Sequence, residues 1–527
     1  MNKSAPYIKR IRVLWSVILC IAGMDGGSAD ADGTSNSLIT QKTSYDTISS
    51  DTPASGLSSG NLDLPFMETS KTEKPDFIAA RKLPNCMELT LPSQPLSLME
   101  ALHWALCHNP DTRVVWASAL ANDAQVGVSR SAYYPTTTLA ENYSVSRSTS
   151  SSASQPVLAG IGNTSTIVDS GSTNPTYSTV IEGPALSINY LLYDFGGRAA
   201  MLDASKQTAL ASLFTYYSTV QQVVLNTIQS YYALQLAYAS VDAAKQTLSF
   251  NQLAQKIADT KHALGLSPIA DKLQADTATA QTELNIQNLE QQIALQQGTL
   301  ARAMGIAPQT PLRLPEQAPI LFSDNVADAK IEELVKQALK NRPDLLSAKA
   351  CEQAAKAQIR SADAQDYPQI NLSLTQDETL SQRPESYHEN NSTALISVSF
   401  PLFTGFKNTY TREAAEHNYE AQAATLEQTQ QNIELDVWNN YQNCRTARAN
   451  IALVDKLVAS ASKNNEVALG RYKEGVGTIL DALNAQSQLA AALLQQANAQ
   501  YTLQIQRAKL AGAMGLLYQS VETSRIQ

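Results

Sequence analysis

Side chains able to act as acids, bases, nucleophiles or metal ligands are sparse in this sequence. The five histidines share no metal-ligand or triad spacing, no phosphate-cradling glycine loop is present, and no serine or cysteine stands in a nucleophile context. This argues against an enzyme and implies neither cofactor nor metal. What does recur is a glycine turn followed by a carboxylate: Gly265 with Asp271, and Gly475-Val476-Gly477 with Asp481 and, three residues on, Asn484. A carboxylate in the first turn of a helix does electrostatics rather than bond chemistry, stabilising the helix start by about 0.3 to 1 kcal/mol.

The elements around those turns repeat. Asn109-Pro110-Asp111 recurs as Arg342-Pro343-Asp344 and Tyr134-Pro135 as Tyr367-Pro368, both 233 residues apart. Leu264-Gly265 recurs as Glu474-Gly475 and Met304-Gly305-Ile306 as Met514-Gly515-Leu516, both 210 apart. The difference predicts an insert in the first copy, and Ser146–Ser178, rich in Ser, Thr, Gly and Asn, reads as a long exposed loop. Its counterpart is a shorter loop at Asp377–Asn391.

Flanking each loop the apolar period is two. Leu186, Ile188, Tyr190 and Leu192 alternate with small or polar residues, as do Ile370, Leu372, Leu374 and Ile396, Val398, Phe400, while Leu139–Val145 is less regular. Each copy therefore holds one two-stranded hairpin. Arg198–Leu264 and Lys407–Leu469 lack both glycine and proline and carry apolar residues at helical spacing, which predicts two helices of roughly 100 Å. Shorter helices are expected at Ser97–Tyr133, Ile269–Met304, Ile331–Asp366 and Ile479–Met514. Pro135 and Pro368 mark the helix-to-strand junctions, because proline disfavours helix at the residue before it.

The ends of the chain carry other signals. Lys3, Lys9, Arg10 and Arg12, an apolar Val13–Ala22 stretch and Ala29-Asp30-Ala31 read as a secretory signal peptide over residues 1–31. Bulky Leu19 before Cys20 argues against lipidation there. Residues 32–85 read as a flexible extension, 86–315 as repeat 1, 316–329 as a linker, 330–516 as repeat 2 and 517–527 as a tail. In an oxidising compartment Cys86 and Cys107 either form a disulfide or stay as buried thiols, the bridge being the favoured reading. The net charge of −9 provides no footprint for nucleic acid, and no apolar run approaches the 18 residues of a spanning helix.

The fold class is thus mainly α with a small β part. Helices this long need lateral neighbours along their whole length. Four strands with one apolar face resemble a sector of a transmembrane β-barrel, and open edges are not tolerated in lipid, so several chains must close it together. The rival reading is a structural trimeric helical fibre without transport activity. A fibre has no use for duplicated amphipathic hairpins and would show sustained heptads, which are lacking.

The duplicated layout, the aromatic turns Tyr193-Asp194-Phe195-Gly196-Gly197-Arg198 and Phe403-Thr404-Gly405-Phe406, and the glycine-turn-Asp segments resemble the TolC family of outer membrane factors over roughly Leu96–Leu516. That resemblance implies a homotrimer in the outer membrane. A twelve-stranded barrel contacting lipid would continue into a periplasmic tunnel of helices, partnered by a periplasmic adaptor and an inner-membrane pump, ABC-type or proton-driven. It implies a periplasmic entrance at Gly475–Asn484, where Asp481 and its counterpart Asp271 either form a constriction ring in the trimer or cap their helices. Where family members carry a second acidic residue, Asn484 adds no charge. Gly265, Gly475 and Gly477 are implied adaptor contacts, with ordinary helix termination as the plain alternative. Tyr133, Tyr134, Tyr193 and Phe403 read either as an interfacial aromatic belt or as junction packing. Drug efflux and type I protein secretion share this architecture, and the similarity of the Cys86 and Cys107 segments to secretion-type members leans towards export.

Overall fold

The computed structural model describes residues 95–149, 176–315, 330–383 and 387–517, all within one unit, Glu73–Gln527. The expected signal peptide, Cys20, the extension, Cys86, the linker, most of the Ser146–Ser178 loop and nearly all of the tail lie outside the described residues. The elements in chain order are α1 (Leu98–His108), α2 (Pro110–Ser131), β1 (Thr136–Thr149), β2 (Thr176–Tyr193), α3 (Gly197–Ala263) and α4 (Ile269–Ala303). The second half follows with α5 (Ile331–Asn341), α6 (Pro343–Asp363), β3 (Gln369–Arg383), β4 (Tyr387–Ser399), α7 (Lys407–Lys473) and α8 (Ile479–Ala513).

Four elements differ from the sequence reading, each for a local reason. The helices expected over Ser97–Tyr133 and Ile331–Asp366 each break in two. Asn109 (ψ 126°) and Arg342 (ψ 122°) are extended because each precedes a proline, which then opens the next helix at its first position. Asp377–Asn391 is mostly paired strand rather than loop: β3 and β4 stay in register from Gln369↔Ser399 to Ser381↔Tyr387. Apolar alternation stops near Leu374, but Asn, Gln and Thr pair through the backbone equally well. Finally, α7 runs past Leu469 to Lys473, since Gly470 is tolerated inside a helix held by its neighbours.

The two long helices have 67 residues each, about 100 Å. Around α3 the shorter helices lie in two tiers. Nearer the sheet, α2 and α6 flank it, with Ser129 bonded to Ser205 and Thr215 to Ser347; farther away α4 and α8 do so. Helix α7 packs on α6 and then on α8. The main cores sit at mid-length, where the short helices meet end to end. Leu98, Trp104, Ile228, Tyr231, Leu300 and Met304 form one; Leu334, Leu345, Ile433, Val437, Leu510 and Met514 form the other. At these joints a Cβ on Gly305 would stand 2.4 Å from the His108 carbonyl oxygen, and one on Gly515 would stand 3.0 Å from the Asn341 carbonyl carbon. Only glycine permits so close a joint.

The sheet is antiparallel in the order β1-β2-β3-β4, leaving β1 and β4 with one partner each in the described chain. Register places Tyr190, Ile188, Leu372, Leu374, Ile396 and Val398 on one face, and Asn189, Ser187, Asn371, Ser373, Ser397 and Ser399 on the other. Ile396 and Val398 are 66% and 65% exposed, so the apolar face is uncovered by the chain itself.

Candidate functional site

At the end remote from the sheet, α3 turns into α4 and α7 into α8. Both long helices end alike: Gly265 (φ +74°) and Gly475 (φ +78°) take the left-handed conformation. Leu266 N–H then donates to Lys261 O, and Val476 N–H to Arg471 O, closing the terminal carbonyls as a glycine C-cap does. Gly477 N–H donates to the same Arg471 carbonyl, and a Cβ there would lie 3.0 Å from Arg471 Cβ. At Gly265 and Gly475 a Cβ would meet nothing within 4 Å, so backbone conformation alone asks for glycine.

The carboxylates after the turns are not equivalent. Asp481 N–H donates to Thr478 Oγ1 (3.1 Å), and Asp481 Oδ2 accepts from Thr478 N–H (3.3 Å), a reciprocal capping box at the start of α8. Hydrogen bonds from the Thr478 side chain and backbone, aided by the positive charge of Arg471, hold the Asp481 carboxyl below its usual range. In the first copy Pro268 replaces Thr478 and gives α4 no side-chain cap, so Asp271 lacks that partner. Asn484 and Asp481 are both exposed, three residues apart on neighbouring positions of α8.

Side chains outside the sequence reading bind the two turns together. The Lys261 ammonium sits 4.3 Å from the centre of the Tyr472 ring and donates to the Tyr472 carbonyl. Tyr472 is buried with Ala254, Ile479 and Ala482. Burial, and secondarily the charge of Asp271, raise its phenol above the ordinary value. Lys272 pairs with Asp259 at 3.1 Å, tying α4 to α3. The S/T-x-x-D signature at Thr478 was legible in the sequence; the Lys261–Tyr472 contact joins residues 211 apart and had no local signal.

At the opposite end, Pro135 and Pro368 each occupy the single residue before β1 and β3. Tyr134, Tyr193 and Phe403 are exposed there, whereas Tyr133 lies under the Arg198 guanidinium at 4.9 Å. Tyr193 meets Phe195 edge-on at 4.8 Å, Phe195 stacks on Tyr367 at 5.5 Å, and Phe403 meets Phe406 at 5.5 Å. Arg198 donates to the carbonyls of Ala132, Leu191 and Leu192. Cys107 is disulfide-bonded, while Cys351 and Cys444 are free.

Among the described residues no cluster of His, Cys, Asp or Glu could hold a metal ion. The chain presents an amphipathic four-strand sector with open edges, carried on helices about 100 Å long that end in two tethered turns. Such a chain is a sector of a channel wall. Residues 101–306 and 334–516 match the family described as outer membrane efflux protein, and the chain belongs to that family. It is 27% identical over 418 residues to Protein CyaE of Bordetella pertussis, covering 79% of this chain and 83% of that protein. It is 25% identical over 333 residues to the cation efflux system protein CusC of Escherichia coli, covering 63% of this chain and 72% of that one. The fold is also that of the outer membrane protein VceC of Vibrio cholerae, with a TM-score of 0.67, 20% identity, and coverage of 79% and 96% of the two chains. The protein is therefore an outer-membrane efflux or secretion channel subunit with a long periplasmic helical portion, in a family of channel proteins rather than enzymes.

Proposed function

We propose that three copies of this chain close a twelve-stranded barrel in the outer membrane and a continuous helical tunnel below it. The tunnel receives cargo from an inner-membrane pump through a periplasmic adaptor. The observation that carries this reading is the pair of sheet edges, β1 and β4, each with one strand partner among the described residues, beside an exposed apolar face. Lipid tolerates such a sector only when other chains complete the barrel. In this assembly the far turns are the periplasmic entrance. Asp481 of each copy contributes one carboxylate to a constriction that favours cations, Asn484 lines it without charge, and Asp271 is the counterpart of Asp481 at the first turn. The turns at Gly265, Gly475 and Gly477 receive the adaptor. The pump supplies the energy and this subunit conducts. Protein export is the favoured cargo class, on the likeness of the Cys86 and Cys107 segments to secretion-type channels.

Single-channel recording of the detergent-extracted oligomer in a planar bilayer tests this, comparing the native chain with Asp481→Ala. Stable pores whose cation preference falls in the variant support both the channel and the ring. Pores indifferent to the change retain the open barrel and move the constriction elsewhere; no pores at all count against closure of an open barrel by three copies.

A further inference from the structure

The ladder of strands is taller than the apolar layer it crosses. About 9–11 tilted residues span a bilayer, whereas β1, β2, β3 and β4 have 14, 18, 15 and 13. On the side that the channel reading turns to lipid, β4 presents Val398, Ile396 and Ala394, and β3 presents Ile370, Leu372 and Leu374. The register then runs level across all four strands through Leu139, Leu186, Gln376 and Ser392, and there the apolar character ends. Ser392 donates to Gln376, and Gln376 to Asn390, so this row is already tied to the next by side-chain hydrogen bonds.

Two further outward rows stand above it on regular backbone. The nearer carries Glu141, Pro184, Glu378 and Asn390, and the next carries Tyr143, Glu182, Leu380 and His388. With strands about 4.8 Å apart, each row is about 14 Å wide, and the rows lie about 7 Å apart. The strands are pinned at this level, since a Cβ on Gly183 would overlap the Glu378 carbonyl oxygen. Tyr143 is 68% exposed, and Glu141, Asn390 and His388 are exposed beside it. Glu378 Oε1 lies 2.7 Å from His388 Nε2, which fixes those two side chains against each other. Three carboxylates with one histidine, itself facing a carboxylate, make a poor seat for phosphate. They suit a sugar: carboxylates and amides pair with neighbouring hydroxyls, and an exposed aromatic ring offers an apolar face to the C–H side of a pyranose.

We propose that these two rows bind the saccharide headgroup of an outer-leaflet glycolipid, with Tyr143 as the stacking platform and Glu141, Glu378 and Asn390 as partners of its hydroxyls. The surface is continuous with the apolar rows below it, so the acyl chains and the headgroup of one lipid meet successive rows of the same sheet. The inference rests on the channel reading above, because only a sheet standing in the outer membrane brings a headgroup to this level. Strand pairing that continues past the bilayer then has a role: it holds the hydroxyl partners at fixed spacing.

The test uses the full-length oligomer reconstituted in phospholipid vesicles doped with lipopolysaccharide, either complete in its core sugars or truncated to its phosphorylated acyl anchor. The lipid that stays bound after extraction in mild detergent is counted by native mass spectrometry. The native chain should retain the sugar-bearing form in preference to the truncated one. Tyr143→Ala, alone and with Glu378→Gln, should lose that preference, while Thr379→Ala, on the opposite side of β3, should keep it. Equal retention of both forms by the native chain assigns the contact to phosphate and acyl chain and overturns the proposal without recourse to a variant; a preference unchanged in the double variant overturns it too. Either result leaves the channel reading intact, whereas a chain that fails to insert in vesicles overturns both.

Discussion

Arg198 and Asn408, 210 residues apart, make the same contact. Arg198 reaches from the first turn of α3 to the carbonyl of Ala132, and Asn408 from the first turn of α7 to the carbonyl of Gln365, 3.1 Å away. The two acceptors are 233 apart, the offset that also relates the paired prolines. Each side chain thus locks the start of a long helix to the end of the short helix that enters the sheet, and neither could be exchanged for an apolar residue without orphaning a carbonyl. Asn408 also donates to Asp366, at 2.9 Å, and is itself buried. Replacing Asn408 by Ala is expected to cost about 1–3 kcal/mol. Arg198→Met should cost more, because three carbonyls and Asp194 lose a charged partner. Thermal unfolding of the detergent-extracted protein, followed by circular dichroism, reads both; unchanged midpoints would mean that water replaces these bonds.

The glycine joints make a graded prediction. Gly265 and Gly305 share a left-handed backbone, so alanine at either costs about 1–2 kcal/mol. Gly305→Ala must additionally push a methyl group into the His108 carbonyl, whereas Gly265→Ala meets open space. Gly305→Ala should therefore lower the unfolding midpoint by clearly more than Gly265→Ala, with Gly515→Ala between them. Equal shifts would show that the mid-length joint relaxes.

What the sequence disclosed and what it withheld follow one physical line. Period and repeat were legible because they are local or self-similar: the breaker-free runs gave α3 and α7, and the offsets of 233 and 210 reappear as spatial contacts. The breaks at Asn109 and Arg342 were also written locally, in the prolines that follow them, but helical periodicity on both sides masked them. The upper strand ladder was missed because residues such as Asn390 and Ser392 pair through backbone without an apolar face to announce them. Pairings such as Lys261 with Tyr472 depend on which helices lie side by side, and no spacing along the chain encodes that.

Asp481 has a pH dependence that distinguishes a cap from a ring. Its carboxyl is held low by Thr478 and Arg471, so its capping contribution is present above the ordinary carboxylate range and is lost only as pH falls through a value below it. Three carboxylates converging on an axis would oppose this, since like charges raise one another. Cation preference of the pore should stay flat through the ordinary carboxylate range and fall only below it. A midpoint within or above the ordinary range signals mutual repulsion in a ring; a preference indifferent to pH assigns selectivity to other residues.

Thiol counting tests the stapling of the N-terminal segment. In a chain that starts after residue 31, the unfolded, unreduced protein should take up label at Cys351 and Cys444 only, and at all four remaining cysteines after reduction. In the folded protein both free thiols should react slowly, because burial raises them and keeps them protonated at neutral pH. Cys86→Ser should release Cys107 to labelling without reductant. A Cys107 that stays blocked in that variant would assign its partner elsewhere.

The two faces of the sheet should differ sharply in their tolerance of charge. Leu372 shares its face with Tyr190 and Ile396, and Ser373 lies on the opposite face beside Asn189, to which it donates at 3.0 Å. If the apolar face meets lipid, Leu372→Arg costs about 2–4 kcal/mol near the bilayer midplane, while Ser373→Arg projects into water and costs little in stability. The second change should instead lower cation conductance, because three added guanidinium groups line one level of the pore. Folding titrations in lipid vesicles measure the first effect and bilayer recordings the second. Equal tolerance on both faces would mean that the sheet does not stand in a membrane, and the assignment of its apolar side would fail with it.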